Sequence, residues 1–190
     1  MAKKILGITN VTRQRDIPVC PDLVIAHPRM NLYIQENLRI NNIYRQYTDD
    51  AHLLPYSIDE SILDMTHSWQ LFGKTPAEVA FKIQQQVRVE TGIYLTVGIG
   101  DSPVLAKWVL DIEAKHANNL TGIWHYEDVS DKLWPITQLT DVWSIGSRTA
   151  HKLNLMGIHS MDDLAHQDPY LFRSQLGLMG EQLFALSWGI

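Results

Sequence analysis

The sequence predicts an α+β fold in which helices alternate with short strands over residues 30–126 and then give way to an all-helical end. Three observations carry this reading. Apolar spacing switches between three-to-four and two along the first part, capping signals mark helix starts, and strand signal fades after Trp134-Pro135.

From Met30 to Tyr47, residues Tyr33, Asn37, Ile40, Tyr44 and Tyr47 recur three or four apart, with Glu36, Arg39 and Arg45 between them, as in an amphipathic helix. Leu53 to Tyr56 and Ser61 to Met65 read as two short strands flanking a turn, Ser57-Ile58-Asp59-Glu60. Thr75-Pro76-Ala77-Glu78 combines a cap, a proline at the first helical position and a glutamate at the third. Val79, Ile83 and Val87 then continue one apolar face to Gly92. Ile93, Leu95, Val97 and Ile99 alternate with Tyr94, Thr96 and Gly98, which predicts a half-buried strand. Gly100-Asp101-Ser102-Pro103 turns it into a helix running to about Lys115, and Gly122 to Tyr126 supplies a further strand. Helices and strands in this order suggest an α/β sandwich. Beyond a boundary near residues 127–135, helix starts are expected at Thr137, Ser147, Ser160 and Asp168-Pro169.

A chain of 190 residues, 45% hydrophobic and 19% charged, is long enough for one substantial core or two small domains. Its apolar runs fall short of the roughly 18 residues of a membrane span. Ile5-Leu6-Gly7-Ile8 is too short for a secretory signal, so a cytoplasmic setting is the default expectation and no membrane partner is expected. The single Cys20 forms no internal disulfide, and eight scattered histidines show no zinc spacing. A net charge of -5 counts against a broad nucleic-acid surface, so any DNA contact must be local or on another segment.

The turn is the first candidate site. Phosphoryl transfer needs Mg²⁺ held by carboxylates that leave ligand positions open for water and substrate. Asp59 and Glu60 would face opposite sides of a regular strand and can serve one metal cluster only in a turn. Taken alone, such a pair is most often a solvated turn. Asp64, further along, reads as structural.

Ser57-Ile58-Asp59-Glu60-Ser61-Ile62-Leu63-Asp64 resembles the S-I-D-E-x-x-L-D signature of Y-family translesion DNA polymerases of the UmuC/DinB (ImpB/MucB/SamB) type. Cys20-Pro21-Asp22-Leu23 is similar to the family's C-P-D-L segment. Thr96-Val97-Gly98-Ile99-Gly100, followed by Leu105-Ala106-Lys107, resembles its T-V-G-I and L-A-K stretch. The resemblance implies a ferredoxin-like polymerase palm, truncated, followed by a small all-α helix-hairpin-helix thumb. Residues 1–29 would be a remnant of fingers, 30–126 an incomplete palm and 127–190 the thumb. It also implies catalytic, metal-binding roles for Asp59 and Glu60 with two Mg²⁺, and a triphosphate contact from Lys115 in Ala114-Lys115. Lys107 is the weaker candidate.

Gly98-Ile99-Gly100 before a helix invites a phosphate-loop reading, but it lacks the G-x-x-x-x-G-K-[ST] pattern and is more simply a turn. Family members usually carry Asn-Lys where Ser102-Pro103 stands. Further on, Asp141 to Leu153 followed by Met156-Gly157-Ile158 resembles a helix-hairpin-helix. In that motif, N–H groups at the turn hold a DNA phosphate without reading sequence. Ser144, Ile145, Gly146 and Ser147 would form that turn, and Arg148 and Lys152, four apart, would add charge. Family hairpins commonly carry Gly at the position of Ser144. Gly177-Leu178-Met179-Gly180 reads better as packing, and Trp134, Trp143 and Trp188 as core or interdomain anchors.

The family's first metal-binding Asp and its neighbouring steric residue do not precede Met1, and Lys3 or Lys4 falls at the basic position of the fingers. The expectation is therefore a fragment of a low-fidelity, template-directed DNA polymerase for translesion synthesis, damage tolerance and the SOS response, inactive by itself. Its partners would be primer-template DNA and dNTP, with a sliding clamp or SOS accessory protein reached through missing regions. The alternative is a non-catalytic helix-hairpin-helix DNA-binding module; a third reading is a regulatory protein-interaction fragment.

Overall fold

In the computed structural model, residues 2–9 and 12–190 are described. The first segment is a short helix, α1 (Ala2–Leu6), leading into largely exposed irregular chain with one 3₁₀ turn at Gln14–Asp16. Lys3 and Lys4 both lie exposed on α1. Helix α2 (Met30–Tyr44) follows, and its C-terminal half buries Asn41 and Ile43 while Tyr33 stays exposed. The apolar stripe of α2 thus works only where α3 (Pro76–Thr91) lies against it.

Between these helices, β1 (Leu53–Pro55) and β2 (Ser61–Leu63) form an antiparallel hairpin in which Leu53 pairs with Leu63 and Pro55 with Ser61. Helix α3 starts as its sequence dictates: Thr75 Oγ1 accepts from Glu78 N–H, Pro76 occupies the first turn, and Gly92 closes the helix at φ +76°. Strand β3 (Val97–Gly100) is shorter than the alternation from Ile93 predicts. Its partner β4 (Thr121–Trp124) begins opposite Val97, so residues 93–96 have no ladder to join. The buried Gln84 of α3 ties down the edge instead, donating to the carbonyls of Leu95 (3.0 Å), Leu120 (3.2 Å) and Asn119 (3.3 Å).

β3 and β4 are parallel and are crossed by α4 (Pro103–Val109), which continues into a π-helical turn over Leu110–Ala114. The glycines of β3 serve this crossing. A Cβ on Gly98 would lie 2.1 Å from the Ala106 carbonyl oxygen, and one on Gly100 would lie 2.5 Å from the Ala106 nitrogen. The first turn of α4 is closed as well: Ser102 Oγ accepts from Leu105 N–H and donates to the Gly189 carbonyl at 2.6 Å. Gly98-Ile99-Gly100 is therefore the end of strand β3, not a turn, and its glycines answer to the close approach of α4.

After β4 the chain is helical. Helices α5 (Ser147–Leu155), α6 (Met161–Ala165), α7 (Pro169–Leu176) and α8 (Leu178–Ser187) follow three short turns, 3₁₀ at Tyr126–Asp128, π-helical at Val129–Leu133 and 3₁₀ at Leu139–Asp141. The expected start at Thr137 is instead a 3₁₀ turn, Leu139–Asp141. The glycine pair at 177 and 180 packs helices. Gly177 reverses the chain at φ +65°, and a Cβ on Gly180 would meet the Phe172 carbonyl oxygen at 2.4 Å. Two apolar clusters result. The smaller joins Ile43 of α2 to Val79, Ile83 and Val87 of α3. The larger runs unbroken from Leu105, Trp108 and Trp124 through Leu133 to Leu153, Phe172 and Leu183. The larger cluster includes residues on both sides of 127–135, where the secondary structure changes character. Trp134 and Trp188 act as anchors there, edge to face at 4.9 Å, with Trp134 Nε1 donating to Ser187 O and Trp188 Nε1 to Ala165 O.

Candidate functional site

Tyr56 to Glu60 forms the tip between β1 and β2, where Tyr56 N–H and Ser57 N–H both donate to the Glu60 carbonyl. This tight closure lifts Asp59 and Glu60 out of strand geometry and presents both carboxylates from one turn. Ser57 Oγ donates to Asp59 Oδ1 at 3.0 Å. Helix α2 props the turn from behind: Asn37 Nδ2 donates to the Ile58 carbonyl at 3.0 Å, and Ser61 Oγ donates to Asn41 Oδ1 at 2.8 Å. Asn41 in turn donates to Asn37. The period of α2 places Asn37 among apolar residues, and its polarity is explained by the turn it holds.

Glu60 is paired. Lys107 Nζ lies 2.5 Å from Glu60 Oε1 and 3.3 Å from Asp111 Oδ2, and Lys115 Nζ lies 2.5 Å from Asp111 Oδ1. Burial works against the charge on Lys107, but the Glu60 hydrogen bond and the Asp111 and Glu60 charges outweigh it, raising its pKa above the ordinary lysine value. Lys107, the weaker of the two lysines by sequence, is therefore the one bonded to the acidic turn, whereas Lys115 is half-exposed and reaches it only through Asp111. Asp111 was not apparent from motifs; its i,i+4 spacing to both lysines was the available signal. Asp64 lies just past β2, where its carboxylate accepts from Thr66, which lowers its pKa and fits a structural role.

Among the described residues, no three acidic, histidine or cysteine side chains converge as a metal cage. The donor chemistry nevertheless suits Mg²⁺. Asp59 and Glu60 are adjacent carboxylates, each with one oxygen that has no partner among the described residues, and Mg²⁺ is commonly held by one or two carboxylates completed by substrate phosphates.

The second candidate, the hairpin, sits beside the first. Tyr56 meets Trp143 edge-on at 6.2 Å between ring centroids. Val142 and Ile145 are buried, so Ile145 anchors the turn and only its backbone is available to a ligand. Ser144 adopts φ +79°, the left-handed region that favours glycine. Gly146 precedes α5 in extended conformation, no side chain caps the helix, and nothing lies within 4 Å of the place a Cβ would occupy. The first N–H groups of α5 are thus open to an anion. Ser147, Arg148 and Lys152 are exposed, and neither Arg148 nor Lys152 forms an ion pair among the described residues.

A mixed helix-sheet unit with an acidic hairpin, continued by an all-helical hairpin module, defines the class: the polymerase palm and its helix-hairpin-helix extension. Residues 1–111 match the impB/mucB/samB family model and residues 126–158 match the IMS family HHH motif, and the chain belongs to the impB/mucB/samB family. It is 37% identical over 185 residues to DNA polymerase IV 2 of Bacillus subtilis, covering 97% of this chain and 44% of that protein. The chain thus spans less than half the length of this curated relative. Among solved structures it is similar to a DinB family error-prone DNA polymerase from Sulfolobus solfataricus, with a TM-score of 0.81 and 26% identity over 98% of this chain and 54% of that one. A ternary complex of Dbh matches similarly, with a TM-score of 0.80 and 26% identity, covering 98% of this chain and 54% of that one.

Proposed function

We propose that this chain is the palm and thumb portion of a template-directed, low-fidelity DNA polymerase acting in translesion synthesis and the SOS response. Residues 1–29 would belong to the fingers, 30–126 to the palm and 127–190 to the thumb. The observation that carries the reading is the placement of Asp59 and Glu60 at one hairpin tip, with Lys107 on α4 bonded to it and Lys115 just past the π-helical turn that continues α4. Asp59 and Glu60 would hold Mg²⁺, which when bound neutralises triphosphate charge and polarises the phosphoryl group. Lys115 would bind a triphosphate oxygen. Open N–H groups at Gly146 and Ser147 would grip a backbone phosphate of primer-template DNA, with Arg148 and Lys152 supplying sequence-independent attraction. The setting would be cytoplasmic; among the described residues no helix is long and apolar enough to cross a membrane. A DNA-binding module without catalysis is not favoured, because the family match extends over the whole acidic-turn region.

The test is primer extension across an abasic template site by a form of the protein extended to its relatives' length. Asp59→Ala with Glu60→Ala should reduce extension to background while leaving duplex binding intact. Unaltered extension by the double variant would overturn the assignment.

A further inference from the structure

Glu60, Lys107, Asp111 and Lys115 form one chain of alternating charge that runs from the acidic turn along α4 and its π-helical turn. Lys107 is its hinge. Its side chain is 14% exposed, and its ammonium has three donors and no acceptor, so it must remain on a carboxylate. It has two within reach: Glu60 at 2.5 Å and Asp111 at 3.3 Å. A divalent cation arriving at Glu60 repels an ammonium on the same carboxylate, because like charges a few ångströms apart oppose each other strongly near a protein surface. Asp111 gives Lys107 somewhere to go, but its carboxylate already holds Lys115 at 2.5 Å. A second ammonium drawn onto Asp111 weakens the hold on Lys115, which is half-exposed and free to swing out.

We propose that Lys107 is a resident counter-cation that a divalent ion must displace from Glu60, and that its shift onto Asp111 releases Lys115 toward an incoming anion. Lys107 is a positioning residue in this scheme. The inference rests on the reading of the acidic turn as a cation site. It adds an order to the events: cation arrival arms the lysine. In the absence of a divalent ion, the pairs keep the turn closed to other cations and hold Lys115 back.

The probe is Mn²⁺ titrated into the 190-residue chain, read as paramagnetic broadening of the Asp59 and Glu60 amide signals. Lys115 release is read from its acylation rate with and without saturating Mn²⁺. Lys107→Met should bind Mn²⁺ about three- to tenfold more tightly than wild type, and Lys107→Arg should stay near wild type. In wild type, Mn²⁺ should speed Lys115 acylation about twofold or more; in Lys107→Met the rate should no longer depend on Mn²⁺. Asp111→Asn, which keeps the buried lysine paired with Glu60, should free Lys115 without Mn²⁺. Equal Mn²⁺ affinity in wild type and Lys107→Met would overturn the displacement. Tighter binding with Lys115 reactivity indifferent to Mn²⁺ in wild type would overturn the release. Broadening that survives Asp59→Asn with Glu60→Gln, or is absent from every protein, would overturn the cation-site reading itself.

Discussion

The acidic turn and the helix-hairpin-helix turn lie side by side, joined through Tyr56 and Trp143, yet they are prepared for ligands in opposite ways. In the acidic turn nearly everything is already bonded. Ser57 holds Asp59, Lys107 holds Glu60, and Asn37 and Asn41 fix the loop from behind. In the hairpin the reverse holds: α5 has no capping side chain, Gly146 leaves open space, and Arg148 and Lys152 stand unpaired among the described residues. A phosphate can therefore dock at the hairpin without displacing anything, whereas a cation at the turn must rearrange an existing ion pair. The first arrangement suits a grip that does not discriminate; the second suits a step that waits for its ligand.

The largest expected effect separates the two regions by their cores. Leu153 is fully buried under the hairpin, in the large cluster, while the turn is backed by α2, whose Ile43 belongs to the smaller cluster. Leu153→Ala should cost about 2–5 kcal/mol in urea unfolding. Amide exchange should rise first in α5 and not in the acidic turn; uniform loosening of both would break the comparison. Next comes Asn41→Ala, which removes the buried link between Asn37 and Ser61. It should cost about 1–3 kcal/mol and speed exchange at the acidic turn while sparing α5. Ser144→Gly should be of opposite sign. Relief of the left-handed backbone at φ +79° is worth about 1 kcal/mol, visible as a raised Tm with duplex affinity retained.

The smallest effect concerns His125, which lies between the two regions in sequence and just past β4. Its hydrogen bond with Asp101 raises its pKa above the ordinary 6.5, with burial opposing only in part. Because the folded state binds this proton more tightly, the contribution is full below pH 6.5 and is lost as pH climbs through the raised value. Tm should fall slightly from about pH 6 to about pH 8, and the same scan of Asp101→Asn should be flatter.

What was legible in the sequence was local chemistry. The Thr75-Pro76-Glu78 start of α3, the Ser102, Ser160 and Asp168 caps, and the acidic hairpin between two short strands all depend on residues close in sequence. Features set by distant partners were not. Alternation from Ile93 overstated β3 because its length is decided by where β4 begins. Gly98 and Gly100 looked like a turn signal but answer to the approach of α4. At the candidate site, Asp59 and Glu60 stood out by motif, and Ser144 by its departure from glycine. The bond from Lys107 to Glu60 spans 47 residues, and the one from Asn37 to the Ile58 carbonyl spans 21, so neither has a local signature.

The most direct measurement of the contrast is an amide chemical-shift map of the 190-residue chain with a short DNA duplex, recorded first without and then with Mg²⁺. Without Mg²⁺, the duplex should move Gly146, Ser147 and Arg148 and leave Asp59 and Glu60 in place; adding Mg²⁺ should then move the acidic turn. Immobile hairpin amides, or an acidic turn that responds to DNA alone, would contradict the account.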